Sequence, residues 1–289
     1  MLDTTVRRVV QRTDGSRPVV IHTAVPPHLP QLDGTTSHLW FGWHDAEARD
    51  LAGALARIPR MGRFVTAFGA ATVDDALPEL TSARWPALNW EAIATAVGGH
   101  AGSLHHLVPP RLVDGGPAWA KLTAQAQAEL IKTTIETLRR VKYRPTGGFC
   151  LFYLADPSRA GGFGVFDHER RAKPSWPVLV DACRPVIVVA DPLPWSMTVG
   201  ERVLSNIHVI SDLHDALIDG VATVSITHAD GTTATQRFGG GVGPDAVDHI
   251  TTAAIDARVP GELVVDLAFE AVGPAGPIAT VNRYRTHVG

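Results

Sequence analysis

The hydrophobic and polar positions of this chain change period part-way along it. In residues 4–12, Val6, Val9 and Val10 stand three and four apart, which places them on one side of a helix. Asp14-Gly15-Ser16 stops that helix, and residues 18–23 read as a strand. A second strand is predicted over 37–43. Residues 46–58 return to a helical period, with Leu51, Leu55 and Ile58 on one face and Pro59 as the stop. Residues 62–68 give a third strand. The longest helical pattern, 118–141, carries Leu130, Ile131, Ile135 and Leu138 as a stripe, with Lys132, Glu136 and Arg139 facing outward. Residues 148–154 are apolar throughout, as expected of a parallel strand buried on both faces. Residues 177–182 suit a closing helix, and the Gly-, Pro- and His-rich stretch 100–117 reads as a surface loop.

Past Cys183-Arg184-Pro185 the helical period disappears. Short strand patterns over 186–189, 206–211, 222–228, 232–238 and 263–270 are separated by Gly, Pro and Asp turns. That pattern predicts an antiparallel sandwich, and Asp230-Gly231 marks a tight hairpin within it. The chain therefore reads as α/β plus all-β, divided into 1–183 and 184–289.

Composition narrows the function classes. The 289 residues are 45% hydrophobic and 19% charged, which is ordinary for a globular protein and argues against disorder. A formal net charge of -3 gives no electrostatic case for nucleic acid or an anionic membrane surface. No apolar run is long enough to span a bilayer. Met1-Leu2-Asp3 lacks the basic and apolar regions of a secretory signal, so a cytoplasmic location is the default expectation. Cys150 and Cys183 sit in apolar surroundings and are expected to be buried thiols. Gly239-Gly240-Gly241-Val242-Gly243 lacks the Lys-Ser/Thr of a phosphate loop. The 13 histidines show no zinc-site spacing, and no Gly-x-Ser-x-Gly nucleophile turn is present. No metal or cofactor is expected.

The chemistry-bearing stretch is Arg63-Phe64-Val65-Thr66-Ala67-Phe68-Gly69. It resembles the nucleophile strand of glycoside hydrolase family 2, the retaining β-glycosidases that include the β-mannosidases. Further stretches resemble the same family in the same order. They are 31–43, Arg84-Trp85-Pro86 with Asn89-Trp90-Glu91, 135–148, Val165-Phe166-Asp167-His168 with Arg171, Lys173 and Pro174, and 184–188. The resemblance implies strands five to eight of a (β/α)8 TIM barrel over 1–183, followed by an immunoglobulin-like β-sandwich over 184–289. Residues just past a barrel strand line the active-site mouth.

The same resemblance assigns site positions and shows what has changed at them. Retaining hydrolysis of an O-glycosidic bond needs two carboxylates about 5–5.5 Å apart. At the nucleophile position the family has Glu, and this chain has Ala67. The family's acid/base is a Glu after an Asn on the fourth strand, and the sequence contains no Asn-Glu pair. An alanine methyl cannot attack an anomeric carbon, so the chain alone is expected to be inactive. His38 falls near the sugar, Trp40 and Trp43 are candidate platforms for a pyranose, and Phe152 stands where members often carry Trp. Asp156, Asp167 and His168 follow the eighth strand, although 167–171 also reads as a salt-bridged, solvated turn. Gly161-Gly162-Phe163-Gly164 replaces a stretch that usually holds a Trp. Two other readings stay open. One is a non-catalytic carbohydrate-binding module. The other is an interaction subunit that completes its barrel by self-association or with a partner chain, as a split or truncated gene product would. The identity of the sugar is left open.

Overall fold

A computed structural model of the chain describes residues 2–17, 19, 36–44, 46–81, 85–97 and 101–289. The strand expected over 18–23 lies outside the described residues, apart from Val19. The chain is a mixed helix-and-sheet protein with several sheets, and it separates into two compact units, Met1–Leu179 and Val180–Gly289.

The first unit begins with α1 (Leu2–Thr13), whose Val6, Val9 and Val10 are exposed. Its central sheet is parallel and small. It orders β1 (Ser37–His38), β2 (Phe64–Ala67) and β4 (Gly148–Phe149) side by side in that sequence. Val65 pairs with Ser37 on one side and with Phe149 on the other. These strands are shorter than the apolar patterns suggest, for local reasons. After His38 the Trp40 carbonyl accepts the N–H groups of Trp43 and His44, which turns the chain, and Gly42 takes φ +80° there. After Phe149 the ladder becomes irregular, yet Cys150 N–H still donates to Val65 O at 2.7 Å and Phe152 N–H to Phe68 O at 3.1 Å.

Helices α2 (Leu51–Arg57) and α5 (Gly116–Arg140) follow the predicted stripes. Leu51, Leu55, Leu130, Ile131, Ile135 and Leu138 are buried, whereas Ile58 lies past the end of α2 and is 39% exposed. Glu136 and Arg139, expected to face outward, are buried instead. Glu136 tolerates this by pairing with Lys132 Nζ at 3.0 Å, one helical turn away. A small antiparallel pair, β3 (Thr72–Val73) with β5 (Gly161–Gly162), packs near α5. The expected loop over 100–117 is a correction. It holds α4 (Ala101–Leu107), preceded by α3 (Trp90–Ala96), whose first turn is capped by Asn89 Oδ1 accepting from Ala92 N–H at 3.1 Å. Leu104 and Val108 are buried, and Val108 O accepts the indole N–H of the fully buried Trp119 at 2.7 Å. The expectation of buried thiols is corrected as well. Cys150 and Cys183 are both exposed and unbridged. For Cys150 the cause is the irregular end of β4, which leaves that stretch uncovered. α6 (Ser175–Ala182) runs across the unit boundary.

The second unit has two sheets. One orders β11 (Val247–Asp256), β8 (Arg202–Ser211) and β6 (Val186–Ala190), all antiparallel. The other orders β10 (Thr233–Gly239), β9 (Ile218–Thr227), β12 (Gly261–Gly273), β13 (Gly276–Val288) and the short β7 (Ser196–Met197). Alternate residues of both sheets meet in one core, including Val188, Ile207, Val209, Val224, Ile255, Val265 and Phe269. The β9–β10 hairpin turns at Asp230-Gly231, where His228 N–H donates to Thr232 O and Gly231 takes φ +83°. Side-chain amides join the sheet edges. Gln236 Nε2 donates to Ala254 O between β10 and β11, and Asn282 Nδ2 donates to Val188 O between β13 and β6. Among the described residues no helix is long and apolar enough to cross a membrane.

Candidate functional site

Four of the residues singled out from the sequence, His38, Trp40, Ala67 and Phe152, come together at the C-terminal ends of the three parallel strands. Ala67 ends β2 and stands opposite His38 in the register, with Leu39 N–H donating to Ala67 O at 2.9 Å. The alanine is 2% exposed. Just past it, Gly69 takes φ +149°, and a Cβ there would lie 2.9 Å from Phe152 O. Glycine therefore lets the chain after β4 come close enough to deliver Phe152.

Phe152 then enters an aromatic cluster. Its ring meets Trp40 edge to face at 5.6 Å and Phe163 at 5.5 Å. Trp40 also meets His38 at 6.3 Å and Phe163 at 5.8 Å. Trp43 packs on Phe163 at 5.3 Å and is 4% exposed, so its ring is a core residue and offers no open face. Phe152 is 40% exposed, with Trp40 and His38 half-buried beside it. Burial holds the His38 imidazole below its usual pKa of 6.5, so it stays neutral near pH 7 and can donate one hydrogen bond through one nitrogen and accept one at the other. The result is a short apolar shelf with one neutral polar edge.

Asp167 sits elsewhere. Its carboxylate accepts from Glu169 N–H at 2.8 Å, Arg171 N–H at 2.9 Å and Arg171 Nε at 2.7 Å. Those bonds hold its pKa below the usual carboxylate range and make 167–171 a self-contained, salt-bridged turn. Two carboxyl-bearing or basic groups matter more for the architecture. Asp156 is 2% exposed, accepts Gly164 N–H at 2.7 Å, and forms an ion pair with Lys173. Lys173 Nζ also donates to Thr72 Oγ1 at 2.8 Å and Gly162 O at 3.2 Å. Burial pushes the Asp156 pKa up and the Lys173 pKa down, against their mutual attraction. Beside them, the fully buried Gln127 donates to Ala70 O and Gly164 O and accepts from Ser175 Oγ. This network fixes β3 and the Gly161–Gly162 strand against α5, and so sets the position of Phe163.

Phe163 is the site residue that sequence reasoning passed over. Its flanking glycines were read as the loss of a Trp, but they are what seats the ring. A Cβ on Gly161 would lie 2.4 Å from Thr72 O, and one on Gly162 would lie 2.6 Å from the Tyr153 hydroxyl. A single aromatic between glycines was the available signal. A shallow depression lined by Asn89, Glu91, Ala92, Thr95 and Ala96 shares no residue with the shelf. No cluster of three or more metal-ligating side chains occurs among the described residues.

No family model matches the sequence, and no curated protein matches it. Solved structures do. In fold, the chain resembles a β-mannosidase. The β-D-mannosidase from Dictyoglomus thermophilum aligns over 96% of this chain with a TM-score of 0.73 at 14% identity. The exo-chitosanase CsxA of Amycolatopsis orientalis aligns over 88% with a TM-score of 0.56 at 14% identity, and over 85% with 0.59 at 13% identity as its D469A variant with PNP-beta-D-glucosamine. The chain spans about a third of the length of these structures, 33% and 30%. The resemblance to glycoside hydrolase family 2 read from the sequence is thus present in the fold, across most of this chain.

Proposed function

We propose that the chain is the C-terminal portion of a family 2, β-mannosidase-like protein, and that these 289 residues do not themselves hydrolyse β-glycosides. In this reading β1, β2 and β4 are the sixth, seventh and eighth strands of a (β/α)8 barrel, and the second unit is an immunoglobulin-like sandwich. The observation that carries the reading is Ala67. It ends β2 beside His38, at the point where the family's nucleophile belongs, and its methyl group has no lone pair to offer. What remains is the shelf of Trp40 and Phe152 with His38 at its edge, suited to the C–H face of a sugar ring.

Turnover of aryl β-mannosides and β-glucosides tests this. The purified chain should show none above background, and Ala67→Glu should not restore it. Robust turnover by the unaltered chain would refute the assignment. Mannose-type ligands should bind with Kd about millimolar and quench tryptophan fluorescence. Trp40→Ala and Phe152→Ala should each abolish that signal, and an unchanged titration in both would remove the shelf from the proposal.

A second reading is favoured by Phe64, at the start of β2, and by Phe152 and Leu154, past the end of β4, which are 38%, 40% and 65% exposed. Exposed apolar surface is unfavourable by about 25 cal/mol per Å². An interaction subunit would cover it with a second copy or another chain. Light scattering over a dilution series separates the cases, since a stable monomer at micromolar concentration rules out self-association.

A further inference from the structure

We infer that His208 and His249, on the second unit, form a two-histidine site for a divalent transition-metal ion of the kind that prefers imidazole nitrogen, such as Cu²⁺, Ni²⁺ or Zn²⁺. The two residues stand directly opposite each other on the antiparallel strands β8 and β11, and their ring centroids are 5.2 Å apart. Directly opposed side chains on neighbouring antiparallel strands project to the same face. His208 is half-buried and His249 is exposed, so of the two rings His249 has the more room to adjust. Metal–nitrogen bonds of about 2.0–2.1 Å would bring one nitrogen of each ring within about 4 Å of the other, a separation that centroids 5.2 Å apart allow.

The surrounding hydrogen bonds prepare His249 as a ligand. The register shifts between His249 and Thr251, leaving Ile250 as an extra residue. That bulge brings Thr252 back to the side of His249, with Thr252 Oγ1 at 3.3 Å from His249 Nε2. The direction of this contact follows from the rest of the chain of bonds. Asn206 Nδ2 donates to Asp191 Oδ2 at 2.7 Å, because a carboxylate only accepts. The Asn206 amide therefore presents Oδ1 to Thr252, whose hydroxyl donates to it at 2.8 Å. With its one proton spent there, Thr252 Oγ1 accepts, and His249 Nε2 must carry the proton. The lone pair of neutral His249 then lies on Nδ1. This is the arrangement of metal-ligating histidines, in which the second ring nitrogen donates to a fixed partner that sets the tautomer. Since no third His, Cys, Asp or Glu joins the pair among the described residues, the ion would keep water or an exogenous ligand in its remaining positions.

Cu²⁺ titration of the full chain, followed by electron paramagnetic resonance and by thermal unfolding, tests the site. The parent should take up one tight equivalent with a nitrogen-ligated signal and a raised Tm. His249→Gln and His208→Gln should each weaken that equivalent by about tenfold or more. Thr252→Val retains both rings but frees the tautomer, and should weaken it by about tenfold. His105→Gln with His106→Gln should change nothing. Circular dichroism establishes that each variant is folded, and the exposed His249 carries the test if His208→Gln is not. An unchanged titration in His249→Gln, or loss of the equivalent in the His105/His106 variant, would overturn the site. An unchanged titration in Thr252→Val would overturn the tautomer argument.

Discussion

Removing Lys173 should cost the first unit much of its stability, and removing Asp156 together with it should cost far less than the two single changes combined. Asp156 is 2% exposed, and the Lys173 side chain is 11% exposed. In Lys173→Met the carboxylate keeps the Gly164 N–H at 2.7 Å but loses its cation, while Thr72 Oγ1 and Gly162 O each lose a donor. Breaking a buried pair from one side costs about 3–5 kcal/mol. Domain stabilities are about 5–15 kcal/mol, so about a fifth or more of the total is at stake. The pair itself is worth little, because burial already pushes both groups toward their neutral forms. Asp156→Asn with Lys173→Met should therefore fall well short of the sum of the singles. Six of the seven tryptophans lie before residue 180, so urea denaturation followed by tryptophan fluorescence reports mainly on this unit. Acid should narrow the deficit of Lys173→Met. Without its cation, the Asp156 pKa is raised further above 3.8, so the contribution of its protonated form to the variant's stability is fully present below 3.8 and is lost as pH rises through the folded pKa. Additivity of the two changes within about 0.5 kcal/mol would refute the coupling.

Gly161→Ala should destabilise the first unit by about 1–3 kcal/mol, since φ is +103° and the new Cβ would sit 2.4 Å from Thr72 O. Denaturant midpoints check this, and a neutral result would mean that β3 and β5 separate at little cost. His38 has its pKa lowered by burial, so its contribution to stability is present above pH 6.5 and is lost as pH falls through the folded value. His38→Gln should flatten the pH dependence of unfolding below 6.5, and an unchanged slope would place that dependence on other groups.

The elements that the sequence disclosed are those in which one face is apolar and the other is not. α5 and the β9–β10 hairpin are of that kind. The strands it hid carry polar groups inside. On β13 the inward positions include Thr280 and Thr286, both 5% exposed, and Asn282, whose amide bonds to Val188 O. Thr286 Oγ1 donates to Pro194 O and the Asn282 amide to Val188 O, so burial of these polar groups is tolerated and the alternation of apolar residues disappears from view. β11 is obscured for a similar reason, since Ala253 and Ile255 are its buried residues while Asp248, Thr251 and Thr252 dominate the rest. α4 was missed because Gly, Pro and His nearby suggested a loop, although Leu104, Leu107 and Val108 have helical spacing.

At the candidate site the sequence supplied the residue types and the fold supplied their division of labour. Trp40 and Trp43 are three residues apart and looked equivalent. The turn at Trp40–His44 separates them, leaving Trp40 at the surface and sending Trp43 into the core against Phe163. Asp156 and Asp167 likewise looked interchangeable as polar groups after the strand expected over 148–154. Asp167 is satisfied by its own turn, whereas Asp156 is drawn into the interior by Lys173 and Gly164 N–H. Neither carboxylate is therefore held free for chemistry. A protein that had lost only its nucleophile would be expected to keep an acidic group directed at the sugar. Here the polar groups near the shelf serve packing instead, and His38 is the polar group left at its edge. The proposed sugar-holding role therefore rests on Trp40 and Phe152, and not on either carboxylate. The Trp40 and Phe152 substitutions address that role more directly than any change at Ala67.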